Sequence, residues 1–310
     1  MSIAKNTRRW VADWRAVLAQ RRRPVAFHNW WPHPRPEELW FHRFLQRPRL
    51  RATFAGRRVA FFSVFGRRRV ARLSGADVKV FFTGENTDFY PHYADHLGGL
   101  ADLSLGFDPA VPGANYLRFP LWVCDFVPPL ATPDDVRTLL ESTEQVGRDL
   151  AERPGFAALV ARHDRDGMRK KLHGLLGHYG PVDVHGPLGN RPPISRSAKD
   201  ELLRGYRLNC CPENSDRPGY VTEKLFDAIQ AGCVPVYRGG GGLAEPEVLN
   251  QKAILWYESE EQWARSQGPK ILESPAALID FSRQRRFAPT ASAWISDRVR
   301  QLEDRLLALE

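Results

Sequence analysis

Short apolar runs bounded by turn residues alternate along the chain with stretches whose apolar residues recur at helical spacing. Val25–His28, Val59–Phe62 and Val78–Phe82 read as strands, residues 32–36 as a loop, and residues 37–44 as the start of a helix. Residues 132–151 are polar and charged with helical character until Arg153-Pro-Gly155 breaks them, and residues 156–160 restart the strand pattern. Residues 208–211 read as a buried strand and 216–219 as a turn. From Glu223 onward Leu225, Phe226, Ala228 and Ile229 fall at helical spacing, with Thr222 as N-cap and Gly232 as a left-handed cap. Residues 233–237 then return as a strand, and 238–242 open a glycine-rich loop. After Pro289-Thr290, residues Trp294, Ile295, Val299, Leu302 and Leu306 mark one face of a closing helix.

Strands alternating with helices predict an α/β chain with parallel sheets, and a chain of this length suits two domains. The pattern divides it into a basic amphipathic segment (1–24), a Rossmann-like domain (25–150), a second Rossmann-like domain (151–288) and a C-terminal helix (289–310). Residues 208–237 form a βαβ crossover, whose functional edge lies beyond the carboxyl ends of its strands. Lys224 is out of place there, because a cation in the first turn of a helix faces the positive end of the macrodipole. A bound diphosphate reverses that sign. The N–H groups of the helix start, the Lys224 ammonium and the Tyr220 hydroxyl suit phosphate oxygens, and Glu223 suits sugar hydroxyls. A solvated first turn with Glu223 and Lys224 as a surface pair is the alternative.

Glu213-Asn-Ser215, Gly219-Tyr-Val-Thr-Glu-Lys-Leu225, Asp227-Ala and Ala231-Gly-x-Val-Pro-Val-Tyr237 together resemble the fucosyltransferase signature of glycosyltransferase family 10. Upstream, Val80-Phe-Phe-Thr-Gly-Glu-Asn86 is similar to the Gly-Glu-Asn segment of the bacterial α1,3-fucosyltransferases. Val25-Ala-Phe-His-Asn-Trp-Trp31, Leu105-Gly-Phe-Asp108, Tyr116-Leu-Arg-Phe-Pro120 and Val182-Asp-Val-His-Gly186 extend the likeness in family order. The resemblance implies a GT-B architecture, two Rossmann-like domains facing each other across a cleft, and inverting transfer of L-fucose from GDP-β-L-fucose to a glycan hydroxyl, with α1,3 linkage as the default. It implies Glu85 as the general base that takes the acceptor proton. Arg169, Asn214, Tyr220, Glu223 and Lys224 match the family's donor contacts, with Arg169 and Lys224 on the diphosphate. Trp30 and Trp31 match the Asn-Trp-Trp segment and are candidates for stacking on an acceptor sugar. The family chemistry requires no cofactor beyond GDP-fucose as donor substrate, and no metal.

Two positions depart from the family pattern. Pro212 stands where an aromatic residue is common, removing a backbone donor, and Arg162-His-Asp-Arg-Asp166 replaces a Ser/Asn-rich loop. A related transferase using a different nucleotide-deoxysugar therefore stays open, as does a non-catalytic basic protein that binds glycan or nucleic acid. Asp164-Arg-Asp166 also spells the D-x-D of metal-dependent transferases, but the surrounding arginines argue against a metal there. His92 and His96 stand four apart without the glutamate of a zinc-protease helix, and read as a surface pair.

The formal charge is +9 over 310 residues, concentrated at the start, where Lys5, Arg8, Arg9, Arg15 and Arg21, Arg22, Arg23 oppose Asp13. Trp10, Val11, Trp14, Val17 and Leu18 repeat at helical spacing in the same stretch. A basic amphipathic helix bearing Trp suits peripheral attachment of residues 1–23 to an anionic membrane; a helix packed on the first domain is the alternative. No nucleic-acid-binding motif accompanies the arginines, so nucleic acid is not an expected partner. With no long apolar run and no leader pattern, the expected location is cytoplasmic, or peripheral at the inner membrane face. Cys124, Cys210, Cys211 and Cys233 show neither zinc-ligand nor disulfide spacing and are expected to be reduced.

Overall fold

The structure, a computed structural model, describes residues 3–111 and 113–309, with side chains from Thr7 onward. Met1, Ser2, the side chain of Lys5 and Glu310 lie outside the described residues. The chain forms two compact units, Met1–Ala131 with Ser296–Glu310, and Thr132–Ile295. Among the described residues no helix is long and apolar enough to cross a membrane.

The first unit is built on five parallel strands, β1 (Val25–His28), β2 (Val59–Phe62), β3 (Val78–Phe82), β4 (Leu103–Gly106) and β5 (Tyr116–Arg118), laid side by side in chain order. All four residues of β2 are buried, as a parallel strand covered on both faces should be. The helix α1 (Ile3–Gln20) is tied to the start of β1, where the Gln20 amide exchanges hydrogen bonds with the backbone of Phe27 at 2.6 and 2.9 Å. Residues 37–44 are not one helix: a 3-10 turn at Pro36–Glu38 and a helix at Trp40–Phe44 are separated by extended Leu39. The break aims Trp40 inward, where its indole N–H donates to the Val127 carbonyl at 2.7 Å and its ring stacks on Phe44.

The second unit carries β6 (Gly155–Val160), β7 (Val182–His185), β8 (Tyr206–Cys210), β9 (Val234–Tyr237) and β10 (Leu255–Trp256), all parallel. Their spatial order, β10-β9-β8-β6-β7, reverses direction between β6 and β8. Such a reversal sends successive crossovers to opposite faces and opens a crevice beyond the strand ends, where ligands of doubly wound sheets bind.

The unit boundary differs from the one the sequence pattern suggested. The helix Pro133–Gln145 belongs to the second unit because the Glu144 carboxylate accepts the backbone N–H groups of Arg286 and Phe287. The Arg286 guanidinium in turn donates to the carbonyls of Thr143 and Val146. The closing helix Ala291–Leu307 is not a separate piece; from Ser296 it belongs to the first unit, where Glu303 pairs with Arg47 at 3.2 Å. His92 and His96 do not share a helix, since His92 lies in a 3-10 turn and His96 has a positive φ. Nor are both on the surface: His96 is buried.

Candidate active site

In the second unit the β6–β8 crevice gathers side chains from three crossovers. The loop after β6 ends at Gly167, whose left-handed φ of 74° turns the chain into the helix Met168–Gly177. Asp164 accepts the backbone N–H groups of Arg169 and Lys170 at 3.0 and 2.9 Å, and Asp166 accepts that of Met168 at 3.2 Å. The D-x-D carboxylates thus satisfy the orphan donors of a helix start. Held there, buried Arg169 donates from Nη2 to Oδ1 of half-buried Asn214 at 2.8 Å.

Glu213, just after β8, organises the rest. Its wholly buried carboxylate accepts the backbone N–H and the hydroxyl of Thr222, each at 2.7 Å, the Tyr237 hydroxyl at 3.2 Å and the Lys224 ammonium at 3.2 Å. Gly239 permits this packing, because a Cβ there would stand 2.6 Å from Glu213 Cγ. Thr222 occupies the N-cap position of the helix Glu223–Gln230 but makes no side-chain cap bond. The expected capping role gives way to a relay, in which the hydroxyl donates to Glu213 and accepts from Lys224 Nζ at 2.8 Å.

Lys224 therefore does not face the helix dipole alone. Glu213 lies at 3.2 Å and Glu223 at 3.4 Å, so the pair formed by Glu223 and Lys224 is part of a partly buried network rather than a solvated turn. Burial opposes charging Lys224, but Glu213, Glu223 and nearby Tyr220 hold its ammonium above the ordinary lysine range. Burial likewise pushes the Glu223 carboxyl up, yet Lys224 and Lys199 bring it down to about 2. Tyr220 is buried beside them.

Three residues here carried no role in the sequence reading. Glu213 was visible only as a motif letter, and its value as counter-charge depends on a fold that brings it to Lys224. Lys199, from the helix Arg196–Leu203, pairs with Asp227 and lines a small cleft with Arg169, Lys224 and Pro212. Asn209 lines the same cleft, and its buried Oδ1 has no hydrogen-bond partner.

In the first unit, Glu85 follows β3 as half-buried backbone just beyond the strand end. Thr83 Oγ1 clamps this turn, accepting the Glu85 N–H and donating to its carbonyl at 3.0 Å each. Gly84 allows the close turn, since a Cβ there would come within 2.8 Å of Leu121. The Trp31 indole donates to Glu85 Oε1 at 3.3 Å, and its ring meets exposed Phe65 edge-on at 5.0 Å. Trp30 turns the other way, onto Phe27, Phe41 and Phe82 with centroids 5.0, 5.9 and 5.8 Å away. Glu85, Trp31 and Phe65 thus come from the loops after three adjacent strands, β3, β1 and β2, at one sheet edge.

Comparison with known proteins bears on both units. Residues 25–125 match the Alpha-(1,3)-fucosyltransferase FucT N-terminal domain, and residues 152–255 match the Glycosyltransferase family 10 (fucosyltransferase) C-terminal model. The Helicobacter pylori Alpha-(1,3)-fucosyltransferase FucT is 29% identical over 200 residues, which are 57% of this chain and 40% of that protein. A Bos taurus 3-galactosyl-N-acetylglucosaminide 4-alpha-L-fucosyltransferase is 34% identical over 125 residues, 40% of this chain and 32% of its own length. The match thus spans well under half the length of these relatives. A crystal structure of an alpha1,3-fucosyltransferase superimposes with a TM-score of 0.61 at 20% identity, covering 92% of this chain and 89% of that one. A crystal structure of an alpha1,3-fucosyltransferase with GDP-fucose gives 0.58 at 19% identity, over 91% and 89% of the two chains. The fold is the expected GT-B architecture. Two models matched in order, one on each parallel sheet, place this chain in glycosyltransferase family 10, the fucosyltransferases.

Proposed function

We propose that the protein is an inverting fucosyltransferase that moves L-fucose from GDP-β-L-fucose to a glycan hydroxyl, with α1,3 linkage. The observation that carries the reading is the convergence of Arg169 and Lys224 on one cleft at the β6–β8 switch point. Two cations in a partly desolvated crevice are what a departing diphosphate needs, because each charge-assisted contact strengthens as negative charge collects on the leaving oxygen. Asn214 and Glu223, which accept or donate hydrogen bonds beside them, suit the ribose and fucose hydroxyls, and Tyr220 the phosphates.

Glu85 is the proposed base. Its carboxylate takes the acceptor proton as the acceptor oxygen bonds to the anomeric carbon and the bond from that carbon to phosphate oxygen breaks, leaving GDP. The Trp31 N–H on Oε1 helps to orient the carboxylate at the sheet edge. Trp31 and Phe65 provide ring faces for the acceptor sugar. Trp30, packed among phenylalanines, supports Trp31 instead. The acceptor class we propose is an N-acetyllactosamine-type or lipopolysaccharide-linked glycan, the location cytoplasmic, and the reaction independent of metal. Pro212, on the cleft wall, favours one second reading, a donor with a different deoxysugar on GDP.

The test is release of GDP from GDP-fucose across a small acceptor panel, with and without EDTA. Acceptor-dependent release that survives chelation supports the reading, and release from another GDP-deoxysugar alone supports the second one. Binding of glycan with no release from any donor would leave a non-catalytic binding protein. Glu85→Gln should hold GDP affinity and lower turnover by about 10² or more, the usual scale for a lost base. Turnover within a few-fold of the parent removes Glu85 from the mechanism.

A further inference from the structure

The helix α1 is packed in an unusual sense. Among its described side chains Asp13 and Val17 are the buried ones, while Trp10, Val11, Trp14 and Leu18 are 45%, 44%, 38% and 50% exposed. The helix cannot roll to cover them, because its inner side is fixed by polar bonds. Asp13 pairs with Arg67 at 3.0 Å and with Arg69, and Gln20 bonds the backbone of Phe27. The outward residues are contiguous: at spacings of one, four and eight from Trp10 they share a stripe, and the Trp10 and Trp14 rings stand 6.2 Å apart.

Charge accompanies the stripe. Arg8, Arg9, Arg15, Arg21, Arg22 and Arg23 are all exposed, and Asp13, the acid between them, is spent on Arg67 and Arg69. We propose that this face of α1 is a docking surface for an anionic lipid bilayer, lying in the headgroup plane with Trp10, Val11, Trp14 and Leu18 sunk into the acyl boundary. Tryptophan is favoured at that depth, where an apolar ring and a polar N–H are both satisfied, and clustered arginines select anionic headgroups. With 18 residues and an apolar stripe on one side, the helix lies on a membrane rather than across it. Packing on the first unit and attachment to lipid are therefore not alternatives; the packed side presents the other to the bilayer.

The test is co-sedimentation of the full chain with vesicles, with no donor or acceptor present, so it stands apart from the transferase reading. The expected result is binding to phosphatidylcholine vesicles holding about 30 mol% phosphatidylglycerol, little binding to pure phosphatidylcholine, and loss in roughly 0.5 M salt. Trp10→Ser with Trp14→Ser should weaken binding tenfold or more in order of magnitude, with a thermal melt lowered only slightly, since both rings are exposed and Trp10 gives up only its contact with the Arg69 guanidinium, 5.7 Å from its ring. Arg21→Ser, Arg22→Ser and Arg23→Ser together should weaken it on the order of a hundredfold, about fivefold per cation. Equal binding to neutral vesicles, absence of binding, or full binding by the double tryptophan variant overturns the proposal. So does a dimer by light scattering that the tryptophan variant turns to monomer, for then a second copy covers the stripe.

Discussion

Replacing Glu213 by Gln keeps the outline of a buried side chain and deletes its charge. The carboxylate holds four donors: two from Thr222 at 2.7 Å, and Lys224 and Tyr237 at 3.2 Å. An amide offers one acceptor oxygen, so two of those donors meet an NH₂ group instead. Lys224 keeps Glu223 at 3.4 Å, which limits the damage. Removing one member of a buried ion pair costs about 3–5 kcal/mol, and the surviving Glu223 contact puts this case near the low end, about 3 kcal/mol. For a unit of this size that lowers the melting midpoint by roughly 6–12 °C. Scanning calorimetry with and without GDP provides the assay. If Lys224 and Arg169 bind the diphosphate, GDP resupplies the missing counter-charge and no longer meets repulsion from Glu213, so it raises the variant's midpoint more than the parent's. A variant that melts within about 1 °C of the parent, or that GDP stabilises no more than the parent, refutes the reasoning.

Three further outcomes follow from other sites. Burial, reinforced by Arg58, lowers the His28 pKa to about 4 from 6.5, so between those values the unfolded chain alone carries the proton. Stability is then full above about pH 6.5 and falls as pH drops toward 4; His28→Phe, which keeps the stack on Phe62, should flatten that slope in midpoint-against-pH melts. For Glu223 the folded value of about 2 lies below the ordinary 4.5, so its contribution is present above pH 4.5 and lost as pH falls toward 2. Glu223→Gln should flatten the melting profile in that acidic window. Gly232→Ala forces a left-handed φ of 73° on a residue with a Cβ, 2.6 Å from Gly147 Cα. The conformation alone costs roughly 1–2 kcal/mol, so urea unfolding should show a lower midpoint with an unchanged slope.

Strands β1, β2 and β3 were legible because each is a short apolar run, and in the second unit β6, β8 and β9 were read within a residue or two of their ends. Others were too short to show a period: β5 has three residues and β10 two. The break in residues 37–44 left no local mark beyond Pro36, because it serves the Trp40 bond to Val127, 87 positions away. The unit boundary hid for the same reason, since the bonds from Glu144 to the backbone of Arg286 and Phe287 span more than 140 positions. In the site, Lys224 declared itself through an electrostatic misfit, while the carboxylate that answers it sits eleven positions earlier, in a loop with no period.

Composition and pattern by themselves determined the two parallel α/β units, the crossover with its helix and glycine cap, and the basic tryptophan-bearing helix, while the family showed only through the likeness of its motifs. These rest on local causes: side-chain period, dihedral preference and residue chemistry act over a few positions and are written in order along the chain. Tertiary structure alone decided which carboxylate balances Lys224, that Thr222 relays rather than caps, that Trp31 rather than Trp30 reaches Glu85, and which side of α1 faces solvent. Each of those is a choice among chemically equivalent partners. A hydrogen bond needs its partners within about 3.5 Å and Coulomb attraction weakens as they separate, so the choice is made by whichever group the packed sheets bring within reach.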